Sequence, residues 1–499
     1  MLAMARTFSL IGIEAEPVFA EVDVARGLPS FSIVGLPDTA VRESRERVRA
    51  ALVNSGFDFP LQRIITNLAP ADLPKVGPGF DLAIAAGVLA SSGQIPKPFL
   101  DTTAFAGELA LDGSVRPVPG ALAMAEAARR QGHARIAVAP QDAGEAALVD
   151  GVEVVALDHV SKLPPLAEGS IEPVARSGFS ETPAPAGPDL RDLKGQPALR
   201  RALEIVAAGG HSLLLVGPPG AGKTLAARRL PSIMPALTRS EALEVIRIAG
   251  AGGAGGGTKG SARSRPFRAP HHTASGRALI GGGSPPRPGE VTRAHRGVLF
   301  LDELGEFRRD AIEALREPLE EGRVTLSRVR RSIELPCRFT LVAASNPCPC
   351  GHGQGSGACE CPPTAVARYE AKLSGALADR IDVFVGVAQP PADAMAGDGG
   401  EASAEVRPRV EAARELQHER LGEARSNSDM TPAETRRHCP PEPAAEAALR
   451  DGHERLGLSG RGWDRVLRVA RTIADLDSAE RIDEAHISEA LGLRRRNLS

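Results

Sequence analysis

The residues Gly217, Pro218, Pro219, Gly220, Ala221, Gly222, Lys223 and Thr224 carry the spacing G-x-x-x-x-G-K-[ST]. A short apolar run, "HSLLLVG", precedes them and a helix-forming run, "TLAARRL", follows. In that setting the glycines let backbone N–H groups turn inward on phosphate oxygens at a helix N-terminus. Lys223 reaches the β and γ oxygens, and Thr224 offers its hydroxyl oxygen to Mg²⁺. The expected ligands are therefore ATP and Mg²⁺. Downstream, "GVLFLDE" is an apolar strand ending in Asp302, placed to hold the Mg²⁺ shell with Thr224, and Glu303, placed to orient and polarise an attacking water. A third apolar run, "RFTLVAASN", ends in Asn346, where an open α/β sheet presents ligand groups; its amide suits the lytic water or the γ-phosphate.

Two further motifs offer cations. Arg380 in "LSGALADRID" stands at a helix end and fits transition-state charge on a neighbour's nucleotide, a role that requires a ring of subunits. The same spacing fits a surface ion cluster of Asp379, Arg380 and Asp382. Arg461 in "LSGRGWDRV" opens a helix that also carries Arg465 and Arg468, and any of the three could report nucleotide state.

Four of the six cysteines, Cys348, Cys350, Cys359 and Cys361, form a C-x-C-x₈-C-x-C pattern directly after Asn346. Four thiolates can close a tetrahedral Zn²⁺ site, with His352 as a substitute ligand; free or redox-labile thiols are the other reading. Cys337 and Cys439 are distant in sequence and read as structural. The adjacent His271 and His272, within a long glycine-bracketed insertion with Lys259, Arg263, Arg265 and Arg268, read as loop contacts or packing.

These residues need a scaffold. A chain of 499 residues exceeds one core, and 42% hydrophobic with 24% charged residues suits a globular protein. Strand-like and helix-like runs alternate over residues 1–165, predicting a first α/β domain. Residues 166–188, rich in Pro, Gly, Ser and Ala, read as a linker, and 189–388 as a parallel sheet flanked by helices, interrupted by the cysteine insertion 347–363. A flexible break at 389–405 leads to 406–499, where only helical periodicity remains. The net charge of −2 excludes a polycation, so nucleic acid would need a local patch. No apolar run reaches the length of a membrane span and the start does not read as a signal peptide, so a cytoplasmic protein without membrane contact is expected.

The order of these motifs resembles AAA+ ATPases. The wording of "DLKGQPALRRALEIVAAGGHSLLLVGPPGAGKT", "RPFRAPHHTASGRALIGGGSPPRPGEVTRAHRGVLFLDEL", "NPCPCG" and "LSGALADRID" is similar, across essentially the whole chain, to the Mg-chelatase-like ComM/YifB family. The resemblance implies a homo-hexameric ring that hydrolyses ATP, moves along DNA and promotes branch migration as a helicase during recombination in natural transformation, with recombination proteins as partners. It assigns Lys223 and Thr224 to Walker A, Asp302 and Glu303 to Walker B, Asn346 to sensor 1, Arg380 to the arginine finger and Arg461 to sensor 2, with a C-terminal helical lid.

The first domain resembles the Lon protease-like (ribosomal S5 domain 2-like) fold through "PADLPKVGPGFDLAIAAGVLA" and "FAGELALDGSVRPVPGALAMAEAA". Gly79 stands where such a protease carries its serine, and "VPGALAM" lacks the lysine base, so peptidase activity is not expected.

For DNA, "EEGRVTLSRVRRSIELP" reads as a hairpin with Arg328, Arg330 and Arg331 at its turn, suited to gripping phosphates without reading bases. The competing readings are a metal-chelatase-type motor remodelling a partner protein, and a scaffold whose ATP site only controls assembly.

Overall fold

The computed structural model describes residues 1–176, 187–253, 264–283, 286–327, 332–353, 358–373, 377–396 and 399–494. The chain divides into two compact units. One comprises Met1–Pro183, Ala242–Ala262 and Gly282–Pro288, the other Ala184–Glu241, Arg263–Gly281 and Gly289–Ser499.

In the first unit, the alternating strands Leu2–Ile11 and Glu14–Ala25 pair antiparallel along their length, from Leu2 opposite Asp23 to Ile11 opposite Glu14. They sit in a seven-stranded sheet, with Arg63–Ala69 and then Ser30–Val34 on one side, and Thr103–Ala106, Arg135–Val138 and Glu153–Ala156 on the other. Helix Asp81–Ser91 is apolar all round apart from its end residues Asp81 and Ser91, and every residue in it is buried, as near all-round apolarity requires. The one charge is compensated: Arg47 donates two hydrogen bonds to Asp81, at 2.7 and 3.1 Å, and the Leu109 amide adds a third at 3.2 Å.

Helix Arg239–Ala251 lies far along the sequence, yet Ile246 fills the first unit's core beside Phe8, Leu122 and Val138. Arg247 of the same helix reaches Glu14 at 3.2 Å and Glu126 at 2.9 Å.

The second unit is built on a five-stranded parallel sheet in the order Phe267–Arg268, Val298–Leu301, Thr340–Ser345, Leu213–Val216, Val383–Gly386. Leu213–Val216, Val298–Leu301 and Thr340–Ser345 are buried throughout, which explains why they read as unbroken apolar runs: helices cover a parallel sheet on both faces. Strands Arg323–Ser327 and Ser332–Pro336 form an antiparallel hairpin with Val324 and Leu335 turned inward. Its tip, including Arg328, Arg330 and Arg331, lies outside the described residues, as do Lys259 and Arg263.

The C-terminal region is helical: Ser403–Leu421, Pro432–His438, Pro443–Leu456, Gly460–Leu476 and Glu484–Gly492. Its apolar faces, including Val410, Leu449, Val466 and Ile473, share one core with Leu203, Val206 and the sheet.

Candidate active site

The phosphate-binding turn leaves the sheet at Val216. Gly217 is required there by close approach: a Cβ would stand 2.1 Å from the Val387 carbonyl oxygen. Gly220 and Gly222 hold φ of +77° and +92°, the left-handed region glycine enters at no cost. Gly222 then caps helix Lys223–Ile233. Lys223 is 8% exposed, and its ammonium donates to the carbonyls of Gly217 (2.5 Å) and Pro218 (3.0 Å) and to Asn346 Oδ1 (3.1 Å). Burial lowers its pKa, while the charges of Asp302 and Glu303 oppose that shift.

Thr224 Oγ1 donates to Asp302 Oδ2 at 2.7 Å, bringing together two oxygen donors of the kind Mg²⁺ prefers. Glu303 follows directly, with φ +52°, an uncommon conformation for a residue bearing Cβ. Its amide donates to Asp302 Oδ1 at 3.0 Å, and its half-exposed carboxylate stands 3.3 Å from His272 Nδ1. Lys223, Thr224, Asp302, Glu303 and Asn346 thus converge on one end of the sheet, where a triphosphate and its cation would be held, and where Glu303 can reach solvent water.

Two participants were not assigned to the site by sequence. His272, read as a loop contact, faces the Glu303 carboxylate. The chain's single tyrosine, Tyr369, is buried, pairs its hydroxyl with Ser345 Oγ at 3.0 Å, and packs so closely on Gly305 that a Cβ there would lie 2.6 Å from its ring. It braces both the asparagine strand and the turn after Glu303; its uniqueness was the only signal available. In the glycine-bracketed insertion, Arg268 forms a bidentate pair with Glu290 (2.7 and 3.0 Å), and Arg265 is held by the Pro235 and Arg296 carbonyls. Those two cations are committed inside the fold.

Arg380 and Arg461 gather elsewhere. Both approach the Glu320 carboxylate, Arg461 at 3.5 Å. They line a cavity of about 620 Å³ together with Arg338, Arg425, Arg465 and Arg468. Ser212, at the start of the P-loop strand, donates to the Arg380 carbonyl at 2.7 Å; the P-loop begins beyond the strand's other end, roughly 13 Å away for four residues. Arg380 and Arg461 are therefore not brought to Lys223 of their own chain.

Arg465 is tied to buried Asp382 at 3.2 Å, and Arg468 donates to the Ser428 and Met430 carbonyls, whereas the Arg461 side chain is 68% exposed. Burial pushes the Asp382 carboxyl up, but the His211 ring and the Arg468 and Arg465 charges outweigh it and hold the group well below the usual carboxylate range.

A P-loop strand lying between an asparagine strand and a last parallel strand, followed by a helical C-terminal region, is a mixed α/β architecture of the AAA+ type. Comparison with known proteins narrows this. The family model "Magnesium chelatase, subunit ChlI" matches residues 189–395, "Subunit ChlI of Mg-chelatase" 20–142, and "Magnesium chelatase, subunit ChlI C-terminal" 400–494. An uncharacterized protein named YifB from Salmonella typhimurium is 44% identical over 498 residues, covering 99% of this chain and 97% of its own. Competence protein ComM of Haemophilus influenzae is 41% identical over 509 residues, again 99% and 97%. Lon protease 2 of Bacillus subtilis is 32% identical over 90 residues, 18% of this chain and 16% of that protease. The chain belongs to the Mg-chelatase-like ComM/YifB family.

Proposed function

We propose that this protein is an ATP-hydrolysing motor that acts on DNA as a homo-hexameric ring, with helicase or branch-migration activity in the recombination of incoming DNA. The observation that carries the ATPase reading is the convergence of Lys223, Thr224, Asp302, Glu303 and Asn346. Thr224 and Asp302 would hold the Mg²⁺, which supplies charge neutralisation at the phosphates. Lys223 and the P-loop amides hold the triphosphate, and Glu303 takes the proton of the attacking water.

Arg380 and Arg461 lie away from their own P-loop and together at Glu320. A ring gives them a target, the nucleotide of the adjacent subunit, with Arg380 as finger and Arg461, more exposed than Arg465 and Arg468 on its helix, as the nucleotide sensor.

The DNA half of the reading rests on the likeness to a competence protein and on Arg328, Arg330 and Arg331, which lie in sequence between the two strands of the hairpin. ATP hydrolysis is expected to rise several-fold with single-stranded, forked or four-way DNA, and the stimulation to fall steeply between about 50 and 200 mM salt, as phosphate contacts require. Equal rates with and without DNA at low salt would remove the DNA reading and leave the ATPase reading standing. The matches to magnesium-chelatase subunit models favour one alternative, a motor that remodels a partner protein. Among the described residues no helix is long and apolar enough to cross a membrane.

The first unit is read as a Lon protease-like fold retained for assembly. A Cβ added at Gly79 would meet only Val118, at 3.6 Å, so a serine fits there. The segment that would supply the base, Val118–Met124, bears no titratable side chain, and Lys75, four residues upstream, directs its ammonium to the Pro70 carbonyl. Gly79→Ser is accordingly expected to fold and to cleave no casein or fluorogenic peptide; measurable peptide hydrolysis by that variant would refute the reading.

A further inference from the structure

The cysteine insertion holds a cluster that the ATPase chemistry leaves unused. The Sγ atoms of Cys348, Cys350, Cys359 and Cys361 all lie within 4.8 Å of one another. Cys348 is 3.2 Å from Cys350 and 3.7 Å from Cys359, and Cys350 is 3.6 Å from Cys359. Four thiolates on a tetrahedral Zn²⁺ at about 2.3 Å stand roughly 3.8 Å apart, whereas a disulfide brings two sulfurs to about 2.05 Å. The observed spacing matches the first arrangement and exceeds the second. The Gly353 amide donates to Cys348 Sγ at 3.2 Å, an N–H···S contact of the kind that orients a ligating thiolate. His352, the substitute ligand considered from sequence, is exposed and does not join the cluster.

What the cluster would hold still is visible in its neighbours. Asn346, two residues before Cys348, accepts from Lys223. Gly351, between the cysteine pairs, has φ +88° and lies so close to the P-loop that a Cβ on it would be 2.9 Å from Pro219 Cδ. Two residues after Cys361 begins the helix Pro363–Leu373, whose Tyr369 pairs with Ser345. The insertion thus touches the P-loop at Pro219, and the residues flanking its two ends, Asn346 and Tyr369, meet Lys223 and Ser345.

We infer that Cys348, Cys350, Cys359 and Cys361 bind one Zn²⁺ as a tetrathiolate site, and that this clip sets nucleotide affinity by pressing Gly351 against Pro219 and fixing Asn346 on Lys223. The metal half stands on its own; the affinity half rests on the ATP-binding reading above. Loss of the metal frees the loop, and the P-loop loses two of the supports that pre-form it.

Two measurements test the two halves separately. Metal analysis of anaerobically purified full-length protein is expected to find one zinc per chain, with loss of zinc in the double variant Cys359→Ser, Cys361→Ser. Absence of zinc in the parent, or disulfides found in its place by thiol titration, overturns the site.

Titration with a fluorescent ATP analogue in Mg²⁺ then compares parent and double variant, circular dichroism having established that both are folded. The Kd is expected to rise about tenfold in the variant, the scale seen when a supporting shell is removed. Equal Kd values overturn the coupling while leaving the zinc site intact. Failure of the parent itself to bind the analogue would instead overturn the ATP reading, and the zinc content would be unaffected. As a third arm, Gly351→Val keeps all four thiols; it is expected to retain zinc and still weaken the analogue, separating contact with Pro219 from metal content.

Discussion

Lys223→Ala is expected to abolish ATP binding, whereas Glu303→Gln is expected to bind ATP normally and hydrolyse it at least about 10²-fold more slowly, the lower end of what a positioned proton acceptor contributes. The contrast follows from where the two side chains point. The Lys223 ammonium is buried and donates to the Gly217 and Pro218 carbonyls and Asn346 Oδ1. Alanine there removes the cation at the centre of the turn and takes that donor from the Gly217 carbonyl and Asn346 Oδ1, while the Pro218 carbonyl keeps the Ala221 amide. Glu303, in contrast, stands off the strand in a left-handed conformation and meets the Thr224–Asp302 pair through its amide bond to Asp302. Glutamine keeps that backbone geometry and a side-chain oxygen facing His272, and loses only the capacity to take a proton. Single-turnover hydrolysis alongside nucleotide binding reads the difference. If Glu303→Gln hydrolysed at the parental rate, Glu303 would not be the base, and a ring that uses ATP solely to assemble would become the better account.

Arg380→Ala is expected to fall by about 10³-fold or more in hydrolysis, as removal of an arginine finger does, and to be rescued by mixing with Lys223→Ala. Each parent is inactive for a different reason: one has an intact P-loop and no finger to offer, the other an intact finger and no P-loop. In a head-to-tail ring assembled at random from equal amounts, about a quarter of the interfaces pair the intact P-loop with the intact finger. Activity should therefore reappear in the mixture at a fraction of the parental rate. The geometry demands this test, because Arg380 lies beside Glu320 and Ser212, at the end of the P-loop strand opposite Lys223. Mixed rings verified by mass spectrometry that stayed as inactive as either parent would sink the trans assignment, and an active Arg380→Ala alone would remove the finger altogether.

Much of the second unit was legible because its signals are local. A strand buried on both faces shows as an unbroken apolar run, and "HSLLLVG", "GVLFLDE" and "RFTLVAASN" each place their terminal residues at the same sheet end by construction. The C-terminal helices announced themselves by periodicity in the same way. What stayed hidden depends on contacts between distant segments. His272 meets Glu303 only because the strand Phe267–Arg268 lies beside Val298–Leu301, a pairing that no residue spacing encodes. Glu320 sits among ordinary charges of a helix-forming stretch, and its position between Arg380 and Arg461 emerges only when three remote segments meet. The cysteine pattern announced a cluster of four thiols, but its neighbour's contact with Pro219 could not be read, since Gly351 is one glycine among 53.

Helix Arg239–Ala251 has a consequence for how the protein is made. The first unit's core is not closed by the first strands and helices to leave the ribosome: Ile246 still has to take its place beside Phe8, Leu122 and Val138, and Arg247 has to reach Glu14 and Glu126. Between those residues and the first unit's own helices, the chain must already have delivered the linker and the entire P-loop. The maturation of the opening segment is thus scheduled by translation of the nucleotide site, and a nascent chain that stalls before residue 246 carries an incomplete apolar surface for chaperones to recognise.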